Sequence, residues 1–173
     1  FFFLFLVLYD FAIVSKLAAN QAIKSGKKIE IAYEFGENTY VDKHVLFKNE
    51  NTVIKKVGID PDSKDQYLLT KDYFKDNDNI ELVKINYNKI PELLKRGIID
   101  ATVWNLDEIK EQNMNIQYEE LKNKTQVNLA NEAVLVVKQN DSALKNIADK
   151  VIDREFILQM QKDILEDKLY PSY

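Results

Sequence analysis

The sequence contains no cysteine and one histidine, His44. The first absence excludes disulfides, thiol nucleophiles and zinc–thiolate sites. The second leaves almost nothing from which to build a Ser–His–Asp triad or a multi-histidine metal centre. No P-loop, GxGxxG or HExxH pattern occurs. Positive charge is not in excess either: 24 Lys and Arg stand against 28 Asp and Glu, a net charge of −4. A nucleic-acid surface usually shows a basic face, so this chain is a poor candidate for one. The apolar start, Phe1-Phe2-Phe3-Leu4-Phe5-Leu6-Val7-Leu8, is far short of the roughly 20 residues that cross a bilayer. It also lacks the basic flank and small-residue cleavage site of a signal peptide. It reads as a buried strand, or as the remnant of a longer segment.

What is present is enough for a core. Hydrophobic residues make up 46% and aromatics 11% of 173 residues, which suits a folded chain of one domain or two small lobes. Short apolar runs bounded by polar residues predict strands at 9–15, 40–47, 53–59, 80–85, 98–104 and 131–137, with weaker alternation at 28–35. Helices are expected at 16–25, ended by Gly26, at 64–75, and around Leu93 and Leu94 between Pro91 and Gly97. A short helix at 106–112 and an edge strand near 116–118 follow. Two amphipathic helices close the chain, the first N-capped by Asp141-Ser142 and carrying Leu144, Ile147, Ala148, Val151 and Ile152 at helical spacing. Strand and helix alternate at 52–131, which predicts a mostly parallel sheet with right-handed crossovers. The expected class is α/β with two lobes: 1–48 and 133–173 form the first, and 49–132 is inserted as the second. Such a plan suits a hinged protein that takes a small ligand between its lobes.

The candidate chemistry lies where strands end and helices begin, which is where ligands bind in open α/β sheets. Gly58-Ile59-Asp60-Pro61-Asp62-Ser63-Lys64 leads from a strand into a helix. Unpaired N–H groups at that helix start, with the Ser63 hydroxyl and the Lys64 charge, offer a seat for a carboxylate or phosphate. Simple capping by Asp62 or Ser63 is the competing reading, and Asp60, Asp62 and Asp65 repel anions. Ser15-Lys16 occupies the matching position in the first lobe, with plain N-capping again the alternative. Trp104-Asn105 ends the third strand of the inserted lobe. It suits stacking and hydrogen bonding to a ligand, or else core packing. Asn131-Glu132 stands at the return crossing, where Glu132 presents a carboxylate to the cleft or to solvent. His44 reads as a surface or packing residue. The pairs Asp107-Glu108 and Glu119-Glu120 read as solvated faces, because no nucleophile or base partner flanks them.

Several stretches in order resemble the C-terminal domain of YhfZ-type bacterial transcriptional regulators. They are Tyr9-Asp10-Phe11-Ala12-Ile13-Val14-Ser15-Lys16-Leu17-Ala18-Ala19, Thr39-Tyr40-Val41 with His44, and Val57-Gly58-Ile59-Asp60 with Ser63 and Asp65-Gln66. Asp100-Ala101-Thr102-Val103-Trp104-Asn105, Glu132-Ala133-Val134 and Pro171-Ser172-Tyr173 complete the match. The resemblance implies a type 2 periplasmic-binding-protein fold, as in LysR-type effector domains, preceded in the family by a winged helix-turn-helix. It implies a ligand sensor rather than an enzyme. No catalytic residues, metal or cofactor are expected. The candidate ligand-binding residues remain Ser15, Lys16, Asp60, Ser63, Lys64, Trp104, Asn105 and Glu132. The expected partners are a small polar or anionic effector, a second copy in a homodimer, and DNA only through the N-terminal part. Membrane contact is not expected, and the expected compartment is the cytoplasm. Residues 1–8 fall where the family has the first strand and helix of lobe 1, and are too few for both, so that lobe is expected to be incomplete. An extracytoplasmic solute-binding protein, an enzyme on the same fold and a pure dimerisation module are the competing functions.

Overall fold

The computed structural model describes residues 10–36, 39, 44–106 and 116–165. Apolar runs become strands, and polar or glycine breaks end them. The elements are β1 (Phe11–Ser15), α1 (Lys16–Lys24), β2 (Ile29–Gly36), β3 (His44–Asn49), β4 (Lys56–Ile59), α2 (Lys64–Tyr73), β5 (Glu81–Lys84), a 3-10 turn (Tyr87–Lys89), α3 (Ile90–Lys95), β6 (Ala101–Asn105), β7 (Ile116–Glu120), α4 (Lys124–Ala130), β8 (Ala133–Lys138), α5 (Ser142–Val151) and α6 (Arg154–Leu165). The expected helix at 106–112 lies, beyond Leu106, outside the described residues, as do residues 1–9.

Two sheets result. In the first, β8 runs between β1 and β2, antiparallel to both. The α1 face of this sheet is apolar: Ala19 of α1 packs with Ile29, Val134 and Val136. Twin register shifts in β2, between Ile31 and Tyr33 and between Glu34 and Gly36, bend that strand. Helix α5 rests on β2.

The second sheet has the order β5-β4-β6-β3-β7. Strands β4, β5 and β6 are parallel, joined by helical crossovers. Strands β3 and β7 are antiparallel to their neighbours, so the sheet is mixed rather than mostly parallel. Both faces are covered. On one, Leu46, Val57, Ala101 and Val103 pack under Leu69 of α2 and Val127 of α4. On the other, Val45, Phe47 and Trp104 pack under Ile90 and Leu94 of α3. Burial on both faces explains why β3 reads Val45-Leu46-Phe47, three consecutive apolar residues with no alternation. Gly58 lets α3 come close to β4. A Cβ there would lie 2.6 Å from Ile99 Cδ1 and 3.4 Å from Ile90 Cγ2.

One boundary differs from the sequence reading. The strand expected at 40–47 was assigned to the first lobe. Instead β3 pairs from His44↔Asn105 to Lys48↔Ala101 with β6, and with β7 on its other edge. It therefore belongs to the inserted lobe, and the first crossing falls between Gly36 and His44. A strand's sheet is decided by distant partners, which local pattern does not show. The return crossing leads from α4, through Asn131 and Glu132, into β8. The two passages are tied together by one hydroxyl. Thr39 Oγ1 donates to the carbonyl of Gly36 at 2.7 Å and accepts the Ala133 N–H at 2.8 Å.

Candidate functional site at the lobe junction

Strand β1 runs into α1 without a loop. Ser15 is the last residue of β1 and the N-cap of α1, its hydroxyl accepting the Ala18 N–H at 3.0 Å. That position puts the helix start where the lobes meet. The Ser15 Oγ also donates to Asp65 Oδ1, in the first turn of α2, at 2.5 Å. Next in the chain, the Lys16 N–H donates to the Glu132 carbonyl at 2.7 Å. Its ammonium sits between Glu132 at 2.8 Å and Glu34 at 2.9 Å. The junction thus joins β1, α1, β2, the return crossing and α2. Leu17 reinforces it by entering the apolar cluster of the inserted lobe.

The electrostatics follow from these contacts. Hydrogen bonds to Glu132 and then Glu34 push the Lys16 ammonium above its ordinary value, against a smaller opposing effect of burial. Burial raises Asp65 from 3.8 to about 6, while the Ser15 hydroxyl pulls it down. Glu132 is the more buried of the two Lys16 partners, its side chain 12% exposed against 52% for Glu34. Lys16→Met is therefore expected to cost about 1–2 kcal/mol, discounted from the fully buried case because the group is partly solvated. Glu34→Gln is expected to cost less than about 0.5 kcal/mol. Urea unfolding of both variants checks the ranking, and equal losses would contradict it.

The structure brings together Ser15, Lys16 and Glu132 among the residues singled out from sequence. Ser63 and Lys64 lie at the start of α2, beside Asp65 in the chain. Ser63 makes no side-chain capping bond, and the Lys64 ammonium turns back to the Pro61 carbonyl at 2.6 Å. Asp60, 6% exposed, is committed within its own lobe. Its carboxylate accepts the N–H of Asp62 at 2.8 Å and of Tyr87 at 2.7 Å. Trp104 does not offer an open face to a ligand. It is 2% exposed and stacked on Tyr87, with centroids 3.6 Å apart and planes at 18°. It is a core residue, packed with Val45, Phe47, Ile90 and Leu94. Asn105 is buried at the end of β6.

Three residues of the junction escaped the sequence reading as site members: Asp65, Glu34 and Thr39. The signal for Asp65 is its place two residues after Ser63, where local chemistry marks it as a charge that repels anions. Among the described residues, no group of three or more His, Asp or Glu is arranged to hold a metal ion. A separate notch of about 150 Å³ lies between the end of α2 and the start of α4, lined by Leu69, Asp72, Tyr73, Leu121, Lys122 and Asn123. Its polar groups are matched: Tyr73 donates to Glu119, and Asn123 donates to Asp72 at 2.8 Å. Ligand pockets are usually larger, from about 300 Å³.

Two sheets, one inserted into the other and joined by paired crossings, define a two-lobed protein of the periplasmic-binding-protein-like class. The crystal structure of the periplasmic aliphatic sulphonate binding protein SsuA from Escherichia coli shares this fold, with a TM-score of 0.60 at 14% identity, covering 92% of this chain and 58% of that one. Within that class, the chain belongs to the YhfZ C-terminal domain family, whose pattern matches residues 4–173. The crystal structure of YhfZ from Shigella flexneri superposes with a TM-score of 0.80 at 29% identity, covering 98% of this chain and 74% of that chain. An uncharacterized YhfZ protein of Escherichia coli K12 is 31% identical over 168 residues. The chain spans 55% of the length of that relative.

Proposed function

We propose that this chain is the ligand-sensing domain of a bacterial transcriptional regulator, taking a small polar metabolite between its lobes. The observation that carries this reading is the junction itself. Ser15, Lys16, Glu132 and Asp65 come from both lobes and meet where α1 and α2 begin. A ligand that contacts both sides favours the closed arrangement, so binding shifts a pre-existing equilibrium. Closure then passes, through a homodimer, to an N-terminal helix-turn-helix outside this chain. The protein is not an enzyme on this reading, and it works in the cytoplasm. Lys16 already faces two glutamates, a balance that favours a neutral polar ligand over a strongly anionic one. Among the described residues no helix is long and apolar enough to cross a membrane.

A thermal-shift screen of metabolites tests the reading. A true effector at 100 times its Kd adds about 2.7 kcal/mol of stability, and the shift is expected to disappear in Lys16→Met. An effector that binds Lys16→Met as well as wild type would remove the junction from consideration. The shared fold with SsuA supports a second reading, an extracytoplasmic solute-binding protein of a transporter. The full reading frame separates the two. A helix-turn-helix upstream supports the sensor, and a signal peptide or lipobox supports the transporter.

A further inference from the structure

The Ser15–Asp65 hydrogen bond joins residues of opposite lobes, yet neither lobe needs it for its own structure. Ser15 already caps α1 through the Ala18 N–H. An acidic residue in the first turn of α2 interacts favourably with the helix dipole wherever the other lobe stands. Ser15 is 3% exposed, and separating the lobes would return both groups to water. We propose that this bond is a clasp between the lobes that works without ligand and is governed by the charge on Asp65. It sets how readily the space between the lobes opens.

The surroundings support that role. Among the described residues, the elements packed most closely against α2 are α1, α4, β4 and β6. Their ionisable side chains are Lys16 and Lys24 of α1, Lys124 of α4 and Lys56 of β4, and β6 has none. Lys16 is committed to Glu34 and Glu132, and Lys124 to Glu120. On α2 itself, Lys64 turns to Pro61 and Lys71 lies over Tyr67. Burial pushes Asp65 up, and the Ser15 hydroxyl that donates to it pulls it only partly back. Closure therefore buries a carboxylate against a neutral hydroxyl rather than against a cation.

The sign follows. The closed form holds the Asp65 proton up to about pH 6, whereas an exposed aspartate releases it near 3.8. Closure takes up a proton between those values. The contribution is fully present below about pH 4 and is lost as pH rises through about 6. The closed-to-open ratio is expected to fall on the order of a hundredfold across that window.

The test uses the absence of cysteine in the chain. Lys24→Cys in α1 and Lys95→Cys in α3, both on exposed positions, carry a donor and an acceptor dye, and energy transfer is read without ligand from pH 4 to pH 8. The lobes of the parent are expected to move apart as pH rises through about 6. Asp65→Asn keeps the shape of the side chain and the bond to Ser15, so it is expected to stay closed with no pH step. Ser15→Ala is expected to be more open than the parent at every pH. A pH step that persists in Asp65→Asn overturns the clasp, and so does a Ser15→Ala distance equal to that of the parent. Because no ligand is present, failure of the effector reading leaves these outcomes unchanged.

Discussion

Phe47→Ala is expected to cost about 3–5 kcal/mol, a large share of the roughly 5–15 kcal/mol that holds a domain folded. Phe47 lies in β3, a strand paired on both edges, and stands opposite Thr102 of β6 and Tyr118 of β7. Its ring, 2% exposed, joins Ile90, Leu94, Ile99 and Trp104 in the cluster beneath α3. The strand is fixed from both sides, so the walls have little freedom to collapse into the space that truncation leaves. Urea unfolding followed by circular dichroism measures the loss. Val53→Ala, at a residue 77% exposed, is the control and is expected to stay within about 0.5 kcal/mol of the parent. A Phe47→Ala midpoint equal to that of the control would mean that this cluster is not a core.

Gln66→Leu is expected to cost about 1–3 kcal/mol although it makes the interior more apolar. Gln66 is 1% exposed and uses its whole amide. Its Oε1 accepts the Asp60 N–H at 2.9 Å, and its Nε2 donates to the Gly58 carbonyl at 3.1 Å and to Thr102 Oγ1 at 3.3 Å. Leucine fills the volume but leaves the Asp60 N–H without that partner, while the Gly58 carbonyl keeps the Thr102 hydroxyl at 3.2 Å; an unsatisfied buried group costs about 1–3 kcal/mol. Gln66→Glu sharpens the test. A buried carboxylate facing carbonyl oxygen is held above its ordinary pKa, so this variant is expected to be closer to the parent at pH 5 than at pH 8. Unfolding midpoints at the two pH values check the sign. A leucine variant as stable as the parent would show that the Asp60 loop does not depend on Gln66.

Much of the fold is local and was legible. The strand–helix alternation, the helix ends at Gly26 and Gly97, both with positive φ, and the Asp141 cap, which accepts the Leu144 N–H, are short-range signals in the chain itself. What could not be read depends on distant partners. The sheet to which β3 belongs is decided by pairing with residues more than fifty positions away. Helix α4 was missed because Lys124–Ala130 is only 7 residues long and buries just Val127 and Ala130, too little for a periodic stripe. The site shows the same division. Ser15, Lys16 and Glu132, singled out at a strand end and at the return crossing, come together at the junction. Trp104 at a strand end fits stacking on a ligand as well as core packing, and nothing local reveals that Tyr87 covers it. Gln66 gives no warning of its burial, since glutamine usually lies at the surface.

The shared hydroxyl of Thr39 limits how the lobes are able to move. Where a chain passes twice between two halves, sliding one half along the other shifts the two passages against each other. Here the bond from Ala133 N–H to Thr39 Oγ1, with Thr39 fixed to Gly36, lashes the two at one point. Translation strains that knot, while turning about it does not. A rotation of one lobe about Thr39 keeps both of its bonds, whereas a slide parts Ala133 from it.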